Sequence, residues 1–247
     1  MEVSGKKVIE QVKNLFCVNG VRVEMEWHEN GKVKSATTYK GDVKDGEHKE
    51  WFENGQLRVK TTYIEGRLDG LYEEWKRDGR LRVLENYKNG EKDGEQKEWF
   101  WSCDQIWKRE NYKDGERDGL YETFHRNGQI EYRKYYKNGF KDGLSEEWYE
   151  NGQLKERGCY VEFREEGLFE TWYENGKICS RLFYKDGKLE GGQEEWDESG
   201  YILIRNNYKD GIRDGVQEII NIIDRRITQT FYKDGKLQPQ EVFGECD

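Results

Sequence analysis

No run of apolar residues in this chain approaches the roughly 20 needed to cross a bilayer as a helix. Apolar residues make up 34% of the 247 and charged ones 38%, which is thin for a compact core. Basic charge is short as well: 42 Lys and Arg against 51 Asp and Glu leave a formal net charge of -9. That balance weighs against a sequence-independent nucleic-acid binder, which needs a basic footprint to release counterions from phosphate. It disfavours contact with anionic membrane surfaces for the same reason. The opening Met1-Glu2-Val3-Ser4-Gly5-Lys6-Lys7 lacks the apolar stretch of a secretory signal. Five cysteines, Cys17, Cys103, Cys159, Cys179 and Cys246, form an odd set without a CxxC spacing, so a disulfide framework or zinc site is not expected. These absences predict a reduced, soluble, intracellular and cytoplasmic protein.

What the chain does have is aromatic side chains, 9 Trp, 16 Tyr and 10 Phe, and they are periodic. A tyrosine returns every 24 residues at Tyr39, Tyr63, Tyr87, Tyr112, Tyr136, Tyr160, Tyr184, Tyr208 and Tyr232, with one 25-residue step between Tyr87 and Tyr112. Trp51, Trp75, Trp99, Phe124, Trp148, Trp172 and Trp196 each follow a tyrosine by twelve residues, and Trp27 extends the series backward. Disordered segments are poor in aromatics. Self-similarity at such a period instead marks a repeat array, whose units bury their apolar faces only against copies of themselves.

The stretch from Tyr136 to Cys159 displays one unit: Tyr-Lys-Asn-Gly-Phe-Lys-Asp-Gly, Leu-Ser-Glu-Glu-Trp-Tyr-Glu, Asn-Gly, Gln-Leu-Lys-Glu-Arg-Gly-Cys. Two short runs with strand-forming residues flank Asn151-Gly152, a dipeptide suited to a two-residue type I′ turn because both positions tolerate positive φ. The unit therefore reads as a β-hairpin. A glycine three residues past the tyrosine and an Asp-Gly at six and seven, here Asp142-Gly143, mark a second reversal. Counting outward from a two-residue loop sets Tyr149 opposite Leu154, Trp148 opposite Lys155, Glu147 opposite Glu156 and Glu146 opposite Arg157. Glu122 with Arg133, Glu170 with Arg181, and Glu194 with Arg205 fall at the same offset. Alternation then puts Trp148 and the Glu/Arg ladder on one face. Tyr149 and the aliphatic column of Leu57, Leu81, Ile106, Ile130, Leu154, Ile178 and Ile202 take the other.

The expected architecture is all-β: an elongated, single-layer twisted ribbon of about nine stacked antiparallel hairpins, on the order of 80 Å long at about 4.8 Å per strand. The array is expected over 15–231, with an N-terminal cap over 1–14 and a partial repeat and C-terminal cap over 232–247. Val8, Ile9, Val12, Leu15 and Phe16 fit one helical face. The first cap is accordingly read as a short helix over an edge strand that would otherwise template aggregation. Repeat Tyr87 to Asn111 holds the extra residue, with Trp101-Ser102-Cys103-Asp104 in place of Glu-Asn-Gly, which predicts a bulge or enlarged loop that projects aromatic surface. The last full repeat replaces the tryptophan with Ile220, and the single proline, Pro239, follows.

The unit resembles the MORN repeat, and more closely the variant form found in bacterial proteins of the YwqK antitoxin-like group and in multi-repeat proteins of large DNA viruses. The resemblance covers about residues 15 to 240. It implies antiparallel hairpin ribbons used for protein association, dimerisation or, in some members, phospholipid attachment.

No catalytic constellation assembles from these residues. His28, His48 and His125 occupy repeat positions that other copies fill with Phe, Tyr, Gln, Ser, Lys or Asp, and read as tolerated surface substitutions. The column of Asp45, Asp69, Asp93, Asp118 and Asp142 precedes turn glycines, and its members would lie about 10 Å apart, too far to share an ion. No metal, cofactor or enzymatic activity is expected. The tryptophan column has two readings, packing between neighbouring repeats or a recognition groove, since Trp and Arg dominate interface hot spots. On the second, Trp148, Trp172 and Trp196, flanked by Arg157, Arg181 and Arg205, grip a partner's strand or extended tail, and Trp101 adds surface. The expected function is a non-enzymatic module for protein association, self-association or structure, as in a viral particle or another large assembly. A peripheral phospholipid adaptor and an antitoxin-like neutralising protein are the alternatives.

Overall fold

The computed structural model describes residues 16–18, 20–221 and 226–239. The helix expected over 1–14 and the tail beyond Pro239 lie outside the described residues, but Phe16, read as part of that helical face, lies in the strand Phe16–Val18, paired with Val23. The chain divides into two units, Met1–Glu116 and Arg117–Asp247. Both are all-β, with no helix among the described residues, and in each the strands pair antiparallel with their neighbours along the chain. In the first, Val21–Trp27, Val33–Lys40, Val43–Trp51 and Leu57–Ile64 follow one another in this way. In the second, Phe140–Trp148, Leu154–Val161, Arg164–Trp172 and Ile178–Lys185 do the same. The open sheet of successive hairpins is the one the periodicity predicts.

Two kinds of turn alternate, and they fall the other way round from the sequence expectation. At Asn151-Gly152, the Tyr149 N–H donates to the Gln153 carbonyl and the Gly152 N–H to the Tyr149 carbonyl, both at 2.9 Å. Within this loop only Gly152 has positive φ, at 85°. The loop is thus a type I turn closed by a left-handed glycine, three residues long and not the type I′ pair expected. The return strand absorbs the extra residue at once: Trp148 pairs with Leu154 and Glu147 with Glu156, so that Lys155 bulges. The two offsets cancel, and Glu146 opposite Arg157 stands as counted. The faces near the turn change, however. Cross-strand partners point to the same side, so Trp148 shares its face with Leu154, and Trp51 with Leu57, Trp75 with Leu81 and Trp172 with Ile178 repeat the pairing.

The type I′ turn lies at the other end of the strands. Asn138 (φ 48°) and Gly139 (φ 81°) form the two-residue loop between paired Lys137 and Phe140. The Asp142-Gly143 pair lies past that reversal, as a bulge inside the next strand. Tyr136 pairs with Lys141 and Lys134 with Ser145, which leaves the residues from Asp142 to Leu144 opposite Tyr135 alone. Gly143 takes φ 110° there, and a Cβ on it would stand 3.2 Å from the Cβ of Tyr135, so the position needs glycine on both counts. The glycine also faces a repeat tyrosine across the next ladder: Gly143 pairs with Tyr160 as Gly167 does with Tyr184.

Both turns bond sideways to a neighbouring repeat. Asn151 uses both ends of its amide: Oδ1 accepts the Gln153 N–H at 2.9 Å within its own turn, and Nδ2 donates to the Glu174 carbonyl at 3.0 Å in the next one. Asn30, Asn54, Asn127 and Asn175 reach the carbonyls of Glu53, Arg77, Glu150 and Glu198 in the same way. At the tight turns, the Gly66, Gly90, Gly139 and Gly187 N–H groups donate at 2.7 to 2.9 Å to carbonyls of Lys44, Leu68, Arg117 and Glu165 in the preceding repeat. The aspartate column serves the same turns. Asp69 accepts the Asn89 N–H at 3.0 Å, and Asp118 that of Asn138 at 3.3 Å.

Apolar burial is slight. Among the described residues the buried apolar side chains are Val59, Val83 and Phe169, while Gln96, Glu110, Glu122, Glu170 and Gln193 are buried and polar. Such groups are tolerated only when bonded, and no buried side-chain nitrogen or oxygen among the described residues lacks a partner. Gln193 accepts the Phe183 N–H on Oε1 at 2.9 Å and donates from Nε2 to the Phe183 carbonyl at 3.3 Å. It thereby completes the ladder where the bulge has interrupted it. Phe169 lies over Gly158, where an added Cβ would meet ring carbons at 2.2 Å, and stands edge-on to Tyr160 and Tyr184 at 5.4 and 5.1 Å. Gly158→Ala is expected to destabilise the unit by about 1–3 kcal/mol through overpacking, with Phe169→Leu restoring part of the loss in the double variant. Denaturant unfolding checks this, and an unchanged midpoint in Gly158→Ala would contradict it.

Candidate interaction surface

One face of Arg117–Asp247 carries three parallel lanes. The middle lane is charged. Strand by strand, Glu122, Arg133, Glu146, Arg157, Glu170, Arg181, Glu194, Arg205 and Glu218 are successive cross-strand partners, so acid and arginine alternate without a break. Arg133 Nε lies 2.8 Å from Glu122 Oε1, and Glu170 is held from both sides by Arg157 at 2.8 Å and Arg181 at 3.0 Å. Arg205 joins Glu194 and Glu218 at 3.4 and 3.3 Å. The carboxylates Glu122 and Glu170 are buried. Burial would raise the Glu170 carboxyl, but hydrogen bonds from the two guanidiniums outweigh it and hold the group below its ordinary value.

The second lane is the indoles. Arg133 lies over Trp148 at 5.7 Å, Arg157 over Trp172 at 5.6 Å and Arg181 over Trp196 at 5.5 Å. These are cation–π distances, and they move the expected set by one repeat. Arg157, Arg181 and Arg205 do follow the indoles in sequence, but the guanidiniums of Arg157 and Arg181 reach forward to the tryptophan of the next hairpin. Arg133 therefore belongs to the surface, and Arg205 closes it, because Ile220, paired with Ile227, stands where a further indole would be. Trp148, Trp172 and Trp196 are all half-buried.

Sequence reasoning missed the third lane. Tyr135, Leu144, Leu168, Phe183, Val216 and Phe231 are exposed large apolar side chains, with Leu168 opposite Phe183 and Val216 opposite Phe231. The available signal was position: Leu144, Leu168 and Val216 each follow a bulge glycine and stand two residues before a ladder glutamate.

In Met1–Glu116 the insertion behaves as expected. Trp101 projects with 69% of its surface exposed, the highest value among the exposed large apolar residues described, and Arg82 lies over its ring at 5.2 Å. The anchor of that loop was not foreseen. Lys76, only 3% exposed, donates from Nζ to the Phe100 carbonyl at 2.6 Å and the Cys103 carbonyl at 3.0 Å. His28 and His125 fill the same repeat position and are not surface substitutions: their Nε2 atoms bond the Trp51 and Trp148 carbonyls at 2.8 and 2.9 Å, as the Tyr149 and Tyr173 hydroxyls bond those of Trp172 and Trp196.

His48 stands apart from these. Thr37 Oγ1, His48 and Glu50 form a hydroxyl–imidazole–carboxylate line at 2.7 and 3.2 Å. The order resembles that of an activated nucleophile. Thr37 is nevertheless only 7% exposed, and the line ties its strand Val33–Lys40 to Val43–Trp51, which carries both His48 and Glu50. No group of His, Cys, Asp and Glu among the described residues could hold a metal ion, and none of their helices is long and apolar enough to cross a membrane.

A family model described as MORN repeat variant matches the chain at residues 23–40, 44–65, 117–138, 141–162 and 165–186. No curated protein matches it. The matched copies include the unbroken strands Val43–Trp51, Phe140–Trp148 and Arg164–Trp172. In the unmatched ones the bulge splits the strand, as in Arg67–Leu68 with Gly70–Trp75 and Lys188–Leu189 with Gly191–Trp196.

The Glu170 pairing has a pH signature. Its folded pKa lies below the unfolded value, so its contribution is fully present above the ordinary glutamate value of 4.5 and is lost as the pH falls through the depressed folded value. Glu170→Gln is expected to cost about 1–2 kcal/mol at neutral pH and to flatten the acid limb of a melting-temperature profile. A parallel acid limb in the variant would contradict the pairing.

Proposed function

Because this chain is a MORN repeat protein of the variant form, we propose that it is a non-enzymatic docking module, which seats a protein partner on the three-lane face of Arg117–Asp247. The observation that carries this reading is the apolar lane: Leu168 and Phe183 remain 37% and 46% exposed, across the charged lane from indoles that already carry guanidinium lids. Exposed apolar side chains paired across strands, as Leu168 with Phe183, mark interaction sites, and Trp and Arg are the residues that dominate their energetics. The charged lane supports the same reading. Its arginines and glutamates are paired to each other before any partner arrives, so covering them strands no lone charge. On this proposal Trp148, Trp172 and Trp196 with Arg133, Arg157 and Arg181 form the contact ground and Arg205 ends it; Trp101, in Met1–Glu116, is a separate exposed contact of that unit by itself. A contact surface repeated at regular spacing suits a part of a larger assembly such as a viral particle, and that setting belongs to the same proposal.

The test compares the tagged chain with a Leu144→Asp/Leu168→Asp variant in affinity purification from the native source, with circular dichroism to verify folding. A partner recovered in stoichiometric yield by the parent and weakened about tenfold or more in the folded variant is expected. Equal recovery by both would overturn the assignment of this face.

A further inference from the structure

The opposite face of Arg117–Asp247 carries a second periodic device, which also recurs within Met1–Glu116 and has one copy altered. Two residues before most bulge glycines stands a cation that lies over the repeat tyrosine facing that glycine. Lys44 over Tyr63, Lys92 over Tyr112, Arg117 over Tyr136, Lys141 over Tyr160 and Arg213 over Tyr232 all stand 4.8 to 5.5 Å from the ring centroid. In two further copies the residue is Leu68 or Leu189. At Tyr184 it is Glu165. The array's own register therefore shows a cation position occupied by an acid.

The surroundings of Glu165 suit a guest cation. A depression of about 200 Å³ opens there, lined by Tyr160, Phe169, Tyr184, Glu156, Glu165 and Leu182 among others. Gly158 makes the room, since a side chain on it would occupy the place of the Phe169 ring. Phe169 stands edge-on to both Tyr160 and Tyr184; Lys141 lies over the Tyr160 ring, whereas no cation among the described residues lies over Tyr184, whose face is left to receive positive charge. Glu156 and Glu165 are half-buried, and among the described residues neither forms a close ion pair, Glu156 acting on Lys134 only at longer range. Burial and the charges of these two carboxylates together push the Tyr160 and Tyr184 phenols up, the direction expected beside negative charge.

We propose that the depression bounded by Tyr160, Phe169, Tyr184, Glu156 and Glu165 binds an alkylammonium head, supplied by a lysine side chain, plain or methylated, of the partner protein. The guest takes the place that Lys141 holds one repeat earlier. This assignment rests on the docking reading above and names the chemistry of its partner, but it lies on the other face and is tested without a partner.

Methyl-labelled protein is titrated with tetramethylammonium, with Nα-acetyl-lysine amide and with the neutral isostere 3,3-dimethylbutanol, and the methyl signals of Leu182, which lines the depression, are followed. Saturable shifts are expected with both cations, with the neutral compound weaker by about fivefold or more. Glu165→Lys restores the array's resident cation. It is expected to abolish the response to both cations while leaving the melting temperature equal or higher, and Glu156→Gln is expected to weaken the response in a folded protein. Equal shifts for the neutral isostere, or an undiminished response in Glu165→Lys, would overturn the site. So would the absence of any shift, which leaves docking on the opposite face untouched. Phosphatidylcholine vesicles form the remaining arm: protein that sediments with them through this site, and stops doing so in Glu165→Lys, would overturn the assignment to a protein lysine.

Discussion

Hydrogen bonds from the turn of one repeat to the turn of its neighbour are the constraint on which the rest of this structure depends. An open sheet with so few buried apolar side chains cannot be held by a core, and each backbone ladder joins only two strands. The turns supply what is missing. Asn151 closes its own loop with one end of its amide and takes hold of the next loop with the other, and the tight turn at Asn138-Gly139 donates a main-chain amide backward while an aspartate accepts its neighbour. Each bond contributes only about 0.5–1.5 kcal/mol net. Their number, and the entropy already spent in fixing the adjoining hairpin, make them effective, as expected where stability sums over nearest neighbours.

A scaffold held at its edges leaves both faces free to carry side-chain lanes in strict register. The arginine that balances two glutamates also covers an indole, so one side chain fixes the geometry of two lanes at once. The apolar lane beside them is then presented on ground that needs little reordering, which lowers the entropic cost of binding. The same regularity makes exceptions legible. Glu165 draws attention only because Lys44, Lys141 and Arg213 define what its position ordinarily holds.

The sequence made the period, the hairpins and the outer register readable, because glycines and aromatics recur with them. Glu146 opposite Arg157 could be counted without coordinates. The pairing of Trp148 with Leu154 could not, since a two-residue and a three-residue loop give the same outer register when a bulge at Lys155 offsets the difference. Asn-Gly also occurs in both kinds of turn, and only φ at the asparagine separates them: Asn138 is left-handed and Asn151 is not. The site was half legible. The indoles were found by their spacing, but the guanidinium over Trp148 comes from Arg133 on another hairpin, and a neighbour of that kind is visible only once the strands are laid side by side. The apolar lane escaped because single exposed leucines carry no signal until they line up.

Amide hydrogen exchange at the tight-turn glycines tests the central claim most directly. Gly66, Gly90, Gly139 and Gly187 sit at exposed loop tips, where amides usually exchange freely. If turn-to-turn bonds hold the repeats, these amides exchange as slowly as the mid-strand amides of the same unit and lose protection together with them in denaturant. Rapid exchange at those glycines, with the strand amides still protected, would contradict the account.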